Sequence, residues 1–524
     1  MANRLLTNIA GKTSRSNIAK VGLGTSINWY QEVQDTSEHS CVMLMRPING
    51  MVTATELSGQ CRGMFTVSRA YNNEPGLYAV YDQKLYYISK LNEATEIGKI
   101  ESFNTECKMC ETGGYGSAHP HLIITDGTSV YAVNVGLPLG DQQADLRRIP
   151  LPLRVNTEAT YIQPTHCAYL YGYLVINDSS TDAWYKSYQY PFESYAENDA
   201  EYNDLFQIYT DDFKDYGFIT YSEWTPDNTL ALCSNGSYLL TFGTRSYQIF
   251  SYNNDVNNPF SSPNNAASNI GIKAVNSLCN LGNITMWLGS SDLGDCGIFM
   301  LDGTTISRIS TKDLEREIAE LDQKVAYAQI WQEQQHIFYA ITFESDKVTF
   351  VYDITERAWH NRCSLDTMNL QSYWRYKNAT FCYDKVYFGT KDALCYMDQN
   401  VYKEHDGRPI LKIRRGGVLT SNGMPFFINS VNLIINNGQH SFNDNYSDFE
   451  LNPRITIRYS WDGSTWSDYE DGYCGKIGEY EYNTIFYSLG FGKYFTLEIS
   501  TTEEIPLSIM NLQINYSEGA NLIW

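Results

Sequence analysis

The chain has 524 residues, too many for one hydrophobic core unless that core is repetitive, so several units or a repeated architecture are expected. Hydrophobic residues make up 43% of the sequence and charged residues 19%, a composition that excludes an intrinsically disordered chain. The formal net charge of −22 repels nucleic acid and anionic lipid at long range, which argues against a sequence-specific DNA-binding protein.

The first residues, MANRLLTNIAGKTSRSN, lack the apolar core of a secretory signal. No window approaches the roughly 18 to 20 apolar residues of a membrane-spanning helix, so no membrane anchoring is expected. The 12 cysteines are scattered, without the density of a disulfide scaffold. Free thiols and assembly in a reducing cytoplasm are therefore expected.

Short apolar runs separated by polar turns recur along the chain, and Asp126-Gly127, Asn235-Gly236 and Asp302-Gly303 are strong tight-turn signals. Aromatic residues reach 14%, which favours strands over helices. Hairpins are predicted at residues 76–89, 121–135, 167–177, 229–250, 285–309, 336–353 and 385–398.

These hairpins recur at intervals of roughly 45 to 60 residues, close to the length of one four-stranded propeller blade. The predicted fold class is therefore all-β, with a β-propeller-like domain of about six or seven blades over residues 61–425. An elongated stack of β-sandwiches is the alternative, because the pattern separates the two poorly.

One amphipathic helix is predicted in STKDLEREIAELDQKVAYA, which starts at Ser310. Ser310 or Thr311 can cap its start, and acidic residues fill the first turn. Its apolar face comprises Leu314, Ile318, Leu321 and Val325. We expect this helix to pack on the outside of the blades; docking of a partner is the alternative.

The last hundred residues change character, because from Phe426 onward apolar runs alternate with turns in the manner of a small antiparallel sandwich. The sequence therefore predicts a C-terminal β-sandwich-like domain over residues 426–524. Residues 1–60 are predicted to be an N-terminal arm and docking segment.

Four potential zinc ligands lie close together in the sequence, at Cys107, Cys110, His119 and His121. Structural zinc sites usually separate their two ligand pairs by about 12 to 20 residues, a wider gap than the one here. His121 also opens an apolar strand. Buried thiols are favoured over a metal site.

No catalytic motif stands out, because none of the eight histidines has a metalloprotease spacing and no nucleophile elbow precedes a helix. We therefore expect neither an enzyme nor a bound cofactor. The alternative is a carbohydrate-binding or glycan-cleaving β-propeller, for which the Tyr-rich stretch Tyr185 to Tyr202 is the candidate. A subunit contact or exposed loop is the favoured interpretation of that stretch.

A series of short motifs occurs in a fixed order between residues 28 and 360. They are Asn28-Trp29-Tyr30, Arg46-Pro47-Ile48-Asn49-Gly50, Arg62-Gly63, Asp126-Gly127, Phe242-Gly243-Thr244-Arg245-Ser246, Trp287-Leu288-Gly289, Arg308-Ile309-Ser310-Thr311, His336, Val351-Tyr352-Asp353 and Trp359-His360. Each motif is short, but their order resembles that of the tail-hub or nozzle proteins of short-tailed bacteriophages, also called packaged-DNA stabilisation proteins. The physical interpretation of these residues is structural: Trp287 and Trp359 are expected to pack between blades, and Arg245 to be a buried partner of a carboxylate.

The resemblance implies a structural virion protein of the tail. Proteins of this family form a homo-oligomeric ring, generally a hexamer, below the portal and its adaptor. The ring carries tail fibres, spikes or a plug, closes the channel after packaging, and lets genomic DNA pass without specific binding during ejection. An acidic chain suits such passage, because a lumen lined with carboxylates holds DNA weakly.

Overall fold

The structure is a computed structural model of the whole chain. It describes residues 3–7, 24–34, 43–113, 120–149, 161–187, 219–221, 227–255, 258–263, 266–291, 296–421, 423–440 and 451–518, together with positions 9, 13, 151 and 294. The fold is all-β, as predicted, with a propeller and a sandwich that share the N-terminal part of the chain.

Five strands precede the first complete blade. They are β1 (Asn3–Thr7), β2 (Thr25–Ile27), β3 (Trp29–Val33), β4 (Met43–Pro47) and β5 (Gly50–Glu56).

The first three blades are antiparallel four-stranded sheets. Blade 1 contains β6 (Cys61–Val67), β7 (Gly76–Tyr81), β8 (Lys84–Ile88) and β9 (Ala94–Lys99). Blade 2 contains β10 (Lys108–Glu111), β11 (His121–Thr125), β12 (Val130–Asn134) and β13 (Arg147–Ile149). Blade 3 contains β14 (Cys167–Leu170), β15 (Tyr173–Asn177), β16 (Ala183–Lys186) and β17 (Ile219–Tyr221).

Blades 4 and 5 each carry an additional short strand. Blade 4 contains β18 (Ala231–Asn235), β19 (Tyr238–Phe242), β20 (Tyr247–Tyr252), β21 (Phe260–Ser261) and β22 (Ala267–Ser268). Blade 5 contains β23 (Ile270–Ile272), β24 (Cys279–Leu281), β25 (Ile284–Ser291), β26 (Cys296–Asp302) and β27 (Thr305–Arg308).

Blade 6 contains β28 (Tyr327–Glu333), β29 (His336–Phe343), β30 (Val348–Asp353) and β31 (Ala358–Asn361). A two-stranded hairpin, β32 (Cys363–Leu365) and β33 (Gln371–Tyr373), follows it. Blade 7 takes three strands from this part of the chain, β34 (Lys377–Cys382), β35 (Lys385–Gly389) and β36 (Ala393–Asp398).

The N-terminal strand β5 closes the propeller. It pairs antiparallel with β36 and supplies the fourth strand of blade 7, with Gly50 opposite Asp398 and Glu56 opposite Ala393. The innermost strands β6, β10, β14, β18, β24, β28 and β34 contact one another in this order, and β34 returns to β6. Within the described residues the ring therefore has seven blades, in agreement with the prediction of about six or seven.

The core of the propeller lies between neighbouring blades, because each sheet buries apolar side chains on both faces. One such layer packs Val80 and Leu85 of blade 1 against Leu122 and Ile124 of blade 2. Hairpin turns at Gly127, Gly236 and Gly303 adopt positive φ values of 88°, 56° and 59°, which glycine reaches without strain. The three tight turns predicted from the sequence are therefore confirmed.

The second domain is a β-sandwich built from both ends of the chain. Its remaining strands are β37 (Lys412–Arg415), β38 (Leu419–Thr420), β39 (Phe426–Ile435), β40 (Arg454–Ser460), β41 (Glu470–Tyr473), β42 (Thr484–Tyr487), β43 (Phe491–Gly492), β44 (Tyr494–Thr501) and β45 (Ile509–Glu518). One sheet has the order β3-β4-β45-β39-β42, with β1 on β45 and β43 on β39; the other contains β2, β37, β44, β40 and β41.

The segment predicted to be an N-terminal arm is thus divided between the two domains. Strands β1 to β4 complete the sandwich and β5 completes the propeller. The physical reason is that each of these strands finds an unpaired strand edge to bond, which a free arm would leave open. Trp29 and Met45, for example, are buried in the sandwich core.

Two α-helices occur within the described residues, α1 (Leu139–Asp145) and α2 (Lys312–Ala319). In α2 the Thr311 hydroxyl accepts a hydrogen bond from the Leu314 amide, and Leu314 and Ile318 are buried, as predicted. The prediction is wrong for Val325, which lies beyond the helix in a 3₁₀ turn (Gln323–Val325) with 52% exposure. No helix among the described residues is long and apolar enough to cross a membrane.

Candidate interdomain junction

Residues 27–34 and 43–50 lie between blade 6 and the sandwich, and they contain two of the motifs identified in the sequence. Strand β2 continues blade 6 into the sandwich through a parallel pair, Ile27 with Asn361, and pairs on its other side with β37. One sheet therefore extends from the propeller into the second domain.

Asn28 anchors the segment to three parts of the chain. Its backbone amide donates to the Asn361 carbonyl at 2.9 Å, and its side-chain amide donates to the carbonyls of Cys363 at 3.0 Å and Leu411 at 2.8 Å. The side-chain oxygen accepts from the Cys363 amide at 3.1 Å. Asn28 has φ of +55°, a conformation that asparagine tolerates better than most residues.

The next two residues, Trp29 and Tyr30, each form a hydrogen bond with a different domain. The Trp29 indole donates to the Leu507 carbonyl in the sandwich at 3.0 Å, whereas the Tyr30 hydroxyl donates to the Gln334 side chain in blade 6 at 3.0 Å. Tyr30 also packs in the core shared by blades 6 and 7. The Asn28-Trp29-Tyr30 motif therefore ties the propeller to the sandwich.

A buried ion pair lies beneath this segment. The Arg362 guanidinium donates to Glu333 at 3.0 Å, and the same carboxylate accepts from Asn49 at 2.8 Å and from the Trp331 indole at 3.2 Å. The guanidinium carbon lies 4.8–5.0 Å from the ring centroids of Trp331, Phe338 and Trp374. These contacts compensate a charge that would otherwise be costly to bury.

A second cluster lies nearer to solvent. His336 Nδ1 is 2.7 Å from Asp353 Oδ2, and His336 Nε2 is 3.8 Å from Glu32 Oε2. Arg46 of the adjacent strand pairs with Glu32, with Nη2 to Oε1 at 3.0 Å. Burial alone would lower the pKa of His336, but hydrogen bonds and charge attraction from Asp353 and Glu32 outweigh it and raise the pKa to about 9.

The pKa of Glu32 is shifted in the opposite direction. Burial would raise its pKa, but the hydrogen bonds from His336 and Arg46 and the positive charge of Arg46 lower it to about 2. The cluster borders a cleft of about 570 Å³ that Gln34, Gln334 and Glu356 also line. The junction thus contains one buried and one partly exposed charge cluster.

Arg62 and Gly63 lie away from the junction, where they join blades 1 and 2. Arg62 is 2% exposed, and its guanidinium donates to the carbonyls of Asp82, Ser102 and Thr105 at 2.6–2.7 Å. A β-carbon on Gly63 would lie 2.4 Å from the Cys107 carbonyl oxygen. Both residues hold the connection that leads from β9 to β10.

Asp126 and Gly127 form the turn between β11 and β12. Asp126 Oδ1 accepts hydrogen bonds from the amides of Thr128 at 2.9 Å and Ser129 at 2.7 Å. The carboxylate thereby satisfies backbone donors that the tight turn leaves unpaired.

The motif at residues 242–246 lies between blades 4 and 5. Phe242 packs edge-on against Trp287, with ring centroids 5.0 Å apart, and the Trp287 indole donates to the Gly271 carbonyl at 3.3 Å. Ser246 is buried. Arg245, in contrast, is exposed, and its backbone amide rather than its guanidinium contacts Asp227. The expectation of a buried ion-pair partner was wrong because the turn directs this side chain to solvent.

Glycines at 243 and 289 permit close approach of neighbouring segments. A β-carbon on Gly243 would lie 2.3 Å from Asp227, and one on Gly289 would lie 2.8 Å from the Gly271 carbonyl oxygen. Trp359 of blade 6 donates to the Ile309 carbonyl at 3.0 Å and packs on Tyr352. Pro47 is buried opposite Trp29.

The candidate metal ligands are not brought together among the residues that can be placed. Cys107 packs between blades 1 and 2, whereas Cys110 packs between blades 2 and 3. His121 is buried at the start of β11, and His119 lies outside the described residues. The described part of the chain contains no group of three or more His, Cys, Asp or Glu side chains that could hold a metal ion.

The Tyr-rich stretch is described only at its start. Tyr185 is 2% exposed and pairs with Ile176 and Ile219 within blade 3, while residues 188–202 lie outside the described residues. Tyr185 therefore cannot serve as an exposed sugar platform.

Sequence reasoning missed Glu32, Glu333 and Arg362. The available signal was a charged residue within strands otherwise rich in aromatic residues, as at Glu333 two positions after Trp331. That signal does not identify the partner, because Arg362 and Asn49 come from distant parts of the sequence.

Comparisons with known proteins agree with this architecture. A family model described as "Bacteriophage P22 Gp10, beta-propeller" (Phage_stabilise) matches residues 193–402, which include blades 4 to 7 apart from β5. A comparison with curated proteins gave no match.

The solved structures show only distant similarity. The N-terminal domain of Nup159 aligns with a TM-score of 0.36 and 9% identity, covering 72% of this chain and 97% of that chain. BBS1N in complex with ARL6DN aligns with a TM-score of 0.38 and 12% identity, covering 67% of this chain and 98% of that chain. The WD40 domain of Toxoplasma gondii coronin aligns with a TM-score of 0.33 and 8% identity, covering 72% of this chain and 87% of that chain. These scores are too low to carry any inference about function. The resemblance found in the sequence is nevertheless confirmed over residues 193–402, which match the model of the phage stabilisation family.

Proposed function

We propose that this protein is a structural, non-catalytic component of the phage tail that forms the hub or nozzle ring below the portal and adaptor. In this role it closes the channel to retain packaged DNA and conducts the DNA during ejection. The observation that carries the proposal is the family match over residues 193–402, within a propeller that β5 closes into a complete ring of blades.

The charged groups support a structural role rather than ligand binding. A cleft of about 500 Å³ between blades 6 and 7 is lined by both cations and carboxylates. Within or beside it, Lys377 pairs with Glu106 at 3.0 Å, Arg375 with Asp406 at 2.6 Å and Lys391 with Glu344 at 3.1 Å. Side chains that neutralise each other stabilise the connection between blades and leave little net charge for a ligand.

Exposed aromatic residues on the sandwich suit contacts in an assembly. Phe427 and Phe491 are 48% and 43% exposed, and their ring centroids lie 4.4 Å apart. Paired exposed aromatic rings are typical of protein–protein contact surfaces. We propose homo-oligomeric contact, generally in a hexamer, with the adaptor and with fibres, spikes or a plug as the further partners.

Electron microscopy of the purified full-length chain, with its mass measured by light scattering, tests the ring. Hexameric rings or tubes are expected, and Phe427→Ser should reduce their fraction while Leu91→Ser, which removes a single 80% exposed side chain, should not. A monodisperse monomer that also fails to assemble with its adaptor contradicts the ring. A glycan array then tests the carbohydrate-binding alternative.

Virions that lack the protein test the role in DNA retention. We expect particles that package DNA but lose it, and restoration by the wild-type protein supplied in trans. Filled, infectious heads without the protein would contradict the proposal. The net charge of −22 further predicts that carboxylates face the channel of the assembled ring, and a basic lumen would contradict weak holding of DNA.

A further inference from the structure

We propose that Glu32, His336 and Asp353 form a proton-dependent latch that holds strands β3 and β4 of the sandwich on blade 6 of the propeller. The latch is closed while the imidazole carries a proton on both ring nitrogens, and it loosens when one of these protons is lost. This inference concerns the junction between the two domains and does not depend on the proposed ring.

The geometry places a carboxylate at each nitrogen of one ring. Nδ1 faces Asp353 of the same blade at 2.7 Å, and Nε2 faces Glu32 of β3 at 3.8 Å. A neutral imidazole donates from one nitrogen and presents a lone pair at the other, so it cannot attract both carboxylates through an N–H group. The doubly protonated ring favours both.

Loss of the proton affects the contact between domains. Asp353 is 1% exposed, and its other oxygen accepts from the amides of Thr355 at 3.0 Å and Glu356 at 3.2 Å, so this carboxylate is fixed within blade 6. The remaining proton stays on Nδ1, because the contact between Nδ1 and Asp353 is shorter than the contact between Nε2 and Glu32. The lone pair of Nε2 then faces Glu32, and attraction across the junction is replaced by repulsion.

The other charged groups around the ring also favour the closed state. Glu356 lies in the turn after β30 and accepts from the Val33 amide at 3.2 Å. Arg46 pairs with Glu32 from the neighbouring strand β4, so it moves with β3 and does not bridge the domains. His360 of β31 stays neutral because burial lowers its pKa, and Arg362 is already paired with Glu333. Tyr30 of β3 contacts the ring edge-on at 5.0 Å and stays neutral, because burial raises its pKa.

The loosening is local. Asn49 still bonds Glu333, and β5 still pairs with β36 in blade 7. Tyr30 also stays in the core shared by blades 6 and 7, so the contact of β3 and β4 with blade 6 loosens around Glu32 while the propeller remains closed.

Hydrogen–deuterium exchange of the full-length protein, corrected for the intrinsic pH dependence of exchange, tests the latch between pH 6 and pH 10. In the wild type we expect protection of residues 29–33 and 43–47 to fall about tenfold between pH 7 and pH 10, while residues 284–291 and 296–302 of blade 5 remain unchanged. In His336→Gln the protection of residues 29–33 and 43–47 should be low at every pH. His405→Gln, at a histidine whose pKa burial lowers, is the matched control and should behave as the wild type.

A second variant covers the case in which His336→Gln does not fold. Glu32→Gln keeps the His336–Asp353 pair but removes the charge across the junction, so protection of residues 29–33 and 43–47 should no longer depend on pH. Wild-type protection that is constant from pH 7 to pH 10 overturns the proposal. A pH dependence in Glu32→Gln equal to that of the wild type overturns it as well.

Discussion

The Glu333 carboxylate accepts a hydrogen bond from the Arg362 guanidinium at 3.0 Å, and the two side chains are only 3% and 0% exposed. The pair joins the two ends of blade 6, since Glu333 closes its first strand and Arg362 follows its last. Asn49, at the start of the closing strand, donates to the same carboxylate. One buried acid thus connects the blade with the segment that completes the ring.

Removal of this acid should be strongly destabilising. Glu333→Ala leaves the Arg362 cation buried without its counter-ion, which typically costs about 3–5 kcal/mol. We expect a loss of that size in the free energy of unfolding, measured by urea denaturation. Arg148→Ala, in an exposed pair with Glu101, is the control and should have almost no effect. Equal losses in both variants would contradict the assignment.

Arg62 should be needed for the connection between blades 1 and 2. Its guanidinium makes five hydrogen bonds to Asp82, Ser102 and Thr105, so Arg62→Met leaves three backbone carbonyl groups without this donor. We expect a loss of about 3 kcal/mol or more in unfolding free energy. Arg69→Met, at an exposed position in the same blade, should change it by less than about 0.5 kcal/mol.

Two glycine substitutions should have opposite effects. Gly63→Ala places a β-carbon 2.4 Å from the Cys107 carbonyl oxygen, and the shift this demands should cost about 1–3 kcal/mol. Gly140→Ala introduces a methyl group with no atom within 4 Å, inside helix α1. It should stabilise the protein by up to about 1 kcal/mol, because alanine favours helix. Thermal denaturation of both variants gives the comparison.

Lys412 should reduce stability at neutral pH. It is fully buried and donates to the Glu503 carbonyl at 2.7 Å; burial outweighs the nearby Glu503 and Glu504 and lowers its pKa to about 8. The folded state binds this proton less tightly than the unfolded state. The loss of unfolding free energy caused by burying the charge is therefore complete below pH 8 and disappears as the pH rises toward 10.5.

The corresponding variant is Lys412→Met, which removes the cost of burying the charge but leaves the Glu503 carbonyl without this donor. We expect a gain of roughly 1–2 kcal/mol at pH 7 that shrinks as the pH rises above 8. Lys493→Met, at an exposed position, should show no such dependence. Urea denaturation at pH 7 and pH 10 measures the difference.

The repeated part of the fold could be predicted from the sequence because its signals are local. Gly127, Gly236 and Gly303 mark turns whose geometry requires positive φ, and the apolar runs beside them form paired strands. Ser310 and Thr311 were likewise the two candidates for the start of α2, and Thr311 is the residue that caps it. Such features depend on residues that are close in the sequence, so a sequence pattern is enough to predict them.

The closure and the junction could not be predicted, since they depend on pairing between distant residues. Gly50–Glu56 reads as an ordinary strand, and nothing in it specifies β36 as its partner. Glu32 and His336 likewise lie far apart in the sequence and meet only in the folded protein. The exposure of Arg245 was missed for a related reason, because side-chain direction at a turn depends on the packing of both flanking blades.

The closing strand has a consequence for biosynthesis. A ribosome releases β5 early, but its partner β36 follows only after all of the first six blades, so the propeller edge stays open for most of translation. The sandwich core must likewise wait for the last strands to meet β3 and β4. A chain that is cut short before β36 therefore completes neither domain, and one cut between β36 and β45 leaves the sandwich incomplete; the unpaired edges expose both to proteases and chaperones. Only full-length molecules would remain available to build a virion.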